Sequence, residues 1–107
     1  MWVIKFLNGP LTGHIVELKK GGNTVGRSSD CDVVIKHPGV SKKHCKVDVF
    51  ENEILITDLD SRNGTFVNGL KIKSHSLKPN DKLSFYDIFA ELINVTDNSL
   101  AFHPMHF

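Results

Sequence analysis

At 107 residues, 40% of them hydrophobic, the chain is one domain of ordinary size, able to bury a single core without disulfides or metals. A formal net charge of +1 steers no polyanion, so general nucleic-acid binding is disfavoured and anion recognition must come from local clustering. No apolar window approaches membrane-spanning length and no apolar run follows a basic start, so the expectation is a soluble, cytoplasmic module without membrane contact.

Residues 2–7 predict a strand, with Trp2, Ile4 and Phe6 on one face and Val3, Lys5 and Leu7 on the other, ended by an Asn8-Gly9-Pro10 turn. A second strand is expected over 14–18, then a turn through residues 19–23, then a short strand, Thr24-Val25-Gly26, that delivers Arg27. Turn formers fill Ser28 to Asp32, the β-branched Val33-Val34-Ile35 follows, and residues 36–43 form a polar loop. From His44 to Phe50 the pattern alternates strictly, Cys45, Val47 and Val49 against His44, Lys46 and Asp48, which predicts a half-buried strand. Glu51-Asn52 turns the chain back into a strand over 53–59.

Two Asn-Gly turns come next. Asn68-Gly69, between Thr65-Phe66-Val67 and Leu70-Lys71-Ile72, reads as a tight hairpin, because Asn-Gly adopts positive φ most readily. Asn63-Gly64 also reads as a turn, but Ser61 and Arg62 just before it display a hydroxyl and a planar five-donor cation. Lys78 to Asp81 turns the chain again, and two strands follow, 82–86 and 88–95, separated by Asp87. The domain is expected to span residues 1–96. Residues 97–107, aperiodic and containing Pro104, read as a tail or linker.

No stretch of eleven or more residues carries helical periodicity, while short strands recur every 8–12 residues or so, the spacing of a sandwich or barrel. The expected fold is all-β, with two packed sheets. Strand ends on one rim of a sandwich bring together loops distant in sequence. Three such loops carry anion chemistry: Gly26-Arg27-Ser28, Ser41-Lys42-Lys43-His44, and Ser61 to Thr65. An arginine fork gives bidentate, charge-assisted hydrogen bonds to a phosphate, a serine hydroxyl adds a short donor, and loop N–H groups complete an anion nest.

The remaining chemistry-bearing residues form no catalytic pattern. Cys31 and Cys45 sit in unlike contexts and read as free thiols. The spacing of His14, His37, His44 and the cysteines matches no zinc or nucleophile signature, so no metal, cofactor or catalysis is expected. The tail's His103 and His106 offer at most adventitious metal binding.

The joint order of Gly26-Arg27, Ser41-x-x-His44 and Asn63-Gly64-Thr65-x-x-Asn68-Gly69 resembles the forkhead-associated (FHA) domain, over about Trp2 to Val95. Val33-Val34-Ile35 and Asp58-Leu59 extend the likeness. The resemblance implies a β-sandwich of about eleven strands that binds phosphothreonine peptides through loops at one end. It further implies that Arg27 holds the phosphate, Ser41 donates its hydroxyl to a phosphate oxygen, and Asn63 hydrogen-bonds the peptide main chain. Lys42 and Arg62 fall where family members also contact phosphate or peptide. Gly26 and His44 fall at architectural positions, and Gly64 and Thr65 support the loop. Residues beyond the phosphate are expected to be read by His37-Pro38-Gly39-Val40 and by residues 69–73, where Lys71 and Lys73 are expected to favour an acidic side chain. The implied partner is a phosphothreonine protein, either a Ser/Thr kinase or its substrate. The competing reading is a phosphate-independent scaffold within a larger signalling protein.

Overall fold

A computed structural model describes residues 1–95. The expected domain end at residue 96 and the tail over 97–107 lie outside the described residues. Eleven strands follow in chain order: β1 (Trp2–Phe6), β2 (Ile15–Glu17), β3 (Gly21–Gly26), β4 (Val33–Val34), β5 (Cys45–Val49), β6 (Ile54–Asp58), β7 (Thr65–Val67), β8 (Leu70–Ile72), β9 (Ser74–Leu77), β10 (Lys82–Phe85) and β11 (Ile88–Asn94). They form a six-stranded sheet in the order β2-β1-β11-β10-β7-β8 and a five-stranded sheet in the order β4-β3-β5-β6-β9. The all-β, two-sheet expectation therefore holds. Among the described residues only β3 and β4 pair in parallel; the other paired strands run antiparallel.

The alternation read in β5 puts Cys45, Val47 and Val49 into the core, against Ile4, Phe6, Leu83, Phe85, Ile88 and Leu92 of the opposite sheet. Each such fully buried Leu, Ile or Phe contributes about 1.5–3 kcal/mol through apolar area removed from water. Asn68-Gly69 forms the expected hairpin, with φ of 50° and 85°, between β7 and β8. Ile15 and Phe89 of the six-stranded sheet, and Leu7 just past the end of β1, are all well exposed.

Three local expectations differ from the structure. Residues 21–23, expected in a turn, open β3, because the buried Asn23 side chain holds the preceding bend. Its Nδ2 donates to the carbonyls of Lys19, Gly21 and Val47, and its Oδ1 accepts the Lys19 N–H. Gly21 and Gly22 are thereby free to pair with Val49 and Asp48. The Asn8-Gly9-Pro10 turn is tighter than expected, a 3-10 turn over Gly9–Leu11 with proline in its first positions, where the missing N–H costs nothing. His44 is fully buried rather than on the wet face, since β5 begins only at Cys45.

Register gathers the loops. Val25 pairs with Cys45 and Cys45 with Asp58, so the ends of β3 and β6 and the start of β5 lie together. In the other sheet Thr65 pairs with Phe85 and Phe85 with Ile88.

Candidate functional site

β3 ends at Gly26, where an added Cβ would lie 2.2 Å from the Lys42 carbonyl oxygen and 2.8 Å from its carbon. Lacking a Cβ, the chain lies directly against the backbone of residues 41 and 42. The Arg27 N–H donates to the Ser41 carbonyl (2.9 Å) and the Ser28 N–H to that of Lys42 (3.2 Å). Arg27 and Ser41 are thus neighbours although fourteen residues separate them. The Arg27 Nε–H donates to the Val40 carbonyl (3.0 Å), which orients the guanidinium; its two terminal amino groups have no partner among the described residues.

The second loop is tied to the third through His44. Its Nδ1 accepts the Ser41 N–H (3.0 Å), so the ring proton sits on Nε2, 2.9 Å from the Gly64 carbonyl it donates to. Phe85 meets the ring edge-on at 5.7 Å. With both nitrogens committed and the side chain wholly buried, His44 offers no base to a substrate.

Asp58, at the end of β6, holds the third loop. It accepts the hydroxyls of Ser61 (2.6 Å) and Thr65 (2.7 Å) and the Ser61 N–H (3.1 Å), while the Ser61 Oγ accepts the Gly64 N–H (2.9 Å). Burial opposes its charge, but the hydrogen bonds from Ser61 and Thr65 outweigh burial and hold the carboxyl below its ordinary range. Ser61, expected as a displayed hydroxyl, is therefore consumed inside the loop. That geometry leaves Arg62 exposed, its N–H donating to the Ser41 Oγ (2.9 Å). Asn63 crosses to the second loop, its Nδ2 donating to the Gly39 carbonyl (2.8 Å), and its Oδ1 has no partner among the described residues.

These links enclose a notch of about 270 Å³ whose lining includes Arg27, Ser41, Lys42 and Arg62, three cations and no carboxylate. A second hollow of about 310 Å³ adjoins it, lined by Pro38, Gly39, Arg62, Asn63 and Tyr86. Three cations, the oriented Arg27 fork among them, and one hydroxyl line it with no carboxylate, an arrangement suited to a tetrahedral dianion. Lys43 stands apart, paired with Asp30 at 3.0 Å.

Lys71 and Lys73 do not reach these hollows: they line another groove with Asp58, Asp60 and Ser61. The wall opposite Gly39 comes instead from Tyr86, in the turn between β10 and β11. It has a φ of 62°, is half exposed, and packs at 5.7 Å on His37. A tyrosine splitting two strands at Asp87 was the sequence signal for it, but nothing in the chain ties position 86 to position 39.

The cysteines carry no reactive thiol chemistry. Both are buried and unpaired. Burial, with the nearby Asp58 charge, pushes the Cys45 thiol far up, and the Cys31 Sγ–H meets the Lys42 carbonyl at 3.2 Å. Among the described residues no helix is long and apolar enough to cross a membrane.

The chain is similar to known proteins in sequence and in fold. The chain is similar to the DNA damage response protein kinase DUN1 of Saccharomyces cerevisiae, 33% identical over 93 residues, covering 68% of this chain and 18% of the kinase. The chain spans only 2% to 18% of the length of the first curated relatives it matches. In structure it is similar to the FHA domain of the CT664 protein from Chlamydia trachomatis, with a TM-score of 0.84 at 27% identity over 89% of this chain and 98% of that one. A domain solved in work on phosphothreonine-dependent FHA domain interactions aligns with a TM-score of 0.82 at 25% identity, over 87% of this chain and 95% of that one. The FHA domain family matches residues 23–86, more than half of the chain and all three loops around the notch, and the chain belongs to that family.

Proposed function

We propose that the chain is a phosphothreonine-dependent peptide-binding module that acts as a cytoplasmic signalling adaptor. FHA domains bind phosphothreonine peptides, and the family is one of binding modules rather than catalysts. The observation that carries the reading for this chain is the notch itself: Arg27, Ser41, Lys42 and Arg62 converge there with no carboxylate to neutralise them. A phosphothreonine brings about −1.5 to −2 charges and three acceptor oxygens to meet those donors. In this reading the Arg27 amino groups and the Ser41 hydroxyl hold the phosphate, Lys42 and Arg62 add charge at its rim, and Asn63 holds the peptide main chain. Gly26, His44, Gly64 and Thr65 keep the loops in place.

The partner in this reading is a Ser/Thr kinase or one of its substrates; similar stretches occur within a yeast DNA damage response kinase and the probable serine/threonine-protein kinase fhkA of Dictyostelium discoideum, which ties the domain to kinase signalling. A phosphate-independent surface is a second reading, favoured by the exposed Leu7, Ile15 and Phe89 on or just beyond the strands of the six-stranded sheet. Affinity capture from lysate before and after phosphatase treatment separates the two. Partners lost on dephosphorylation support the module; partners retained in full support the scaffold.

A further inference from the structure

A wider basin of about 680 Å³ adjoins the notch at Arg27, Pro38 and Lys42, adds Ser28, Lys36 and His37, and reaches none of Ser41, Arg62 or Asn63. Three cations, Arg27, Lys36 and Lys42, line it, and no carboxylate does. The nearest acids on the preceding loop are already occupied. Asp30 accepts Ser28 (2.5 Å) and Lys43 (3.0 Å), and Asp32 accepts Lys19 (2.9 Å) together with the Thr24 N–H (2.9 Å) and hydroxyl (3.1 Å). Lys36 meets only the neutral Ser29 hydroxyl (2.8 Å), and Lys42 has no side-chain partner among the described residues. His37 is committed elsewhere: its Nδ1 accepts the Gly39 N–H (3.0 Å) and its Nε2 lies 3.4 Å from Asp87. In a chain of net charge +1, the basin is a local concentration of uncompensated positive charge.

We propose that this basin is a second anion subsite, which takes a further negative side chain of the bound peptide while the notch holds its phosphothreonine. The inference rests on the phosphothreonine reading of the notch and extends it to a substrate class, peptides with clustered negative charge. Charge balance argues for it. Basin and notch together hold four cations, Arg27, Lys36, Lys42 and Arg62, against the roughly three to four negative charges of two phosphates. Arg27 and Lys42 are shared, so a phosphate in the notch draws on both and leaves Lys36 as the principal partner of the second anion. A carboxylate and a second phosphate offer the same chemistry there, and the two sources are separable by experiment.

The test titrates peptides carrying one phosphothreonine, one phosphothreonine plus a glutamate, and two phosphothreonines, with the second group placed in turn on either side of the first. Each is measured against the unaltered chain and Lys36→Gln, an exposed position that lines the basin but not the notch. The proposal expects about a tenfold gain from the second anion at a preferred spacing, as for added charge-assisted contacts. It expects Lys36→Gln to erase that gain and leave affinity for the singly phosphorylated peptide unchanged. Equal gains from glutamate and phosphate assign the basin to any anion, and a gain from phosphate alone assigns it to a second phosphorylation. Binding of the singly phosphorylated peptide with no gain at any spacing, or a gain that survives Lys36→Gln, overturns the subsite alone. No binding of any phosphothreonine peptide overturns the notch reading and the subsite with it.

Discussion

The Ser41 hydroxyl accepts a hydrogen bond from the Arg62 N–H at 2.9 Å across 21 residues of sequence. The bond joins the second loop to the third and fills an acceptor position on Oγ, leaving the hydroxyl proton to be given away. Ser41→Ala removes both the donor proposed for a phosphate and the acceptor for Arg62. The expected outcome is a loss of phosphopeptide affinity of about tenfold to a hundredfold, from one charge-assisted hydrogen bond. Faster hydrogen exchange at the Arg62 amide should accompany it. Unchanged exchange would show that the crosslink is not formed in solution.

Gly26 and Gly39 predict different costs. At Gly26 the obstacle to a Cβ is the Lys42 backbone, which cannot step aside without breaking the Arg27 and Ser28 hydrogen bonds. Gly26→Ala should lower stability by about 1–3 kcal/mol or more, as for overpacking against a fixed neighbour. At Gly39 the obstacle is the Tyr86 ring, 2.1 Å from the added carbon, a half-exposed side chain able to swing away. Gly39→Ala should cost less stability and alter selectivity beyond the phosphate, and adding Tyr86→Ala should restore stability. Chemical denaturation of the three variants checks the order.

The Asp58 carboxyl sits below its ordinary value of 3.8. A group depressed in the folded state adds stability at pH above that value, and the addition is lost as pH falls through the folded pKa. Asp32, lowered to about 2 by the Thr24 N–H and then by Lys19 and the Thr24 hydroxyl, acts in the same window, as does Asp30. Asp58→Ala isolates one contribution: it leaves the Ser61 and Thr65 hydroxyls without an acceptor, a cost of about 1–3 kcal/mol at neutral pH. The gap between it and the unaltered chain should narrow as pH drops below 3.8. A gap constant between pH 5 and 2 would remove Asp58 as the charged hub of the loop.

Much of this was legible in the sequence where pattern and local chemistry coincide. The alternation of Cys45, Val47 and Val49 gave the core face of β5, and Asn68-Gly69 gave its hairpin, because both depend on neighbours in the chain. β9 passed unseen because Ser74, His75 and Ser76 are exposed and show no apolar period; its strand character comes from the edge of β6 alone. Asn23 looks like a turn former and is one, but it serves the bend before it, through Lys19 and Gly21, and is anchored to β5 by a long-range bond to Val47. At the site, the order of the three loops is readable, whereas the Ser61 hydroxyl, beside an arginine, looks free until the fold places Asp58 next to it. The resemblance sets Lys71 and Lys73 toward residues beyond the phosphate; they line a groove with Asp58, Asp60 and Ser61, while Tyr86 lines the hollow beside Gly39, brought there only by the sandwich.

Arg27 tests the central claim most directly, since its Nε is anchored on Val40, its side chain lines the notch, and its amino groups have no partner among the described residues. The measurement is calorimetric titration of a phosphothreonine peptide library, with phosphoserine and unphosphorylated counterparts, against the unaltered chain and Arg27→Ala. The account predicts binding that requires phosphothreonine and falls at least about a hundredfold in the variant, as when a buried charge pair loses one partner. Equal affinity of the two proteins for the phosphothreonine library would contradict it.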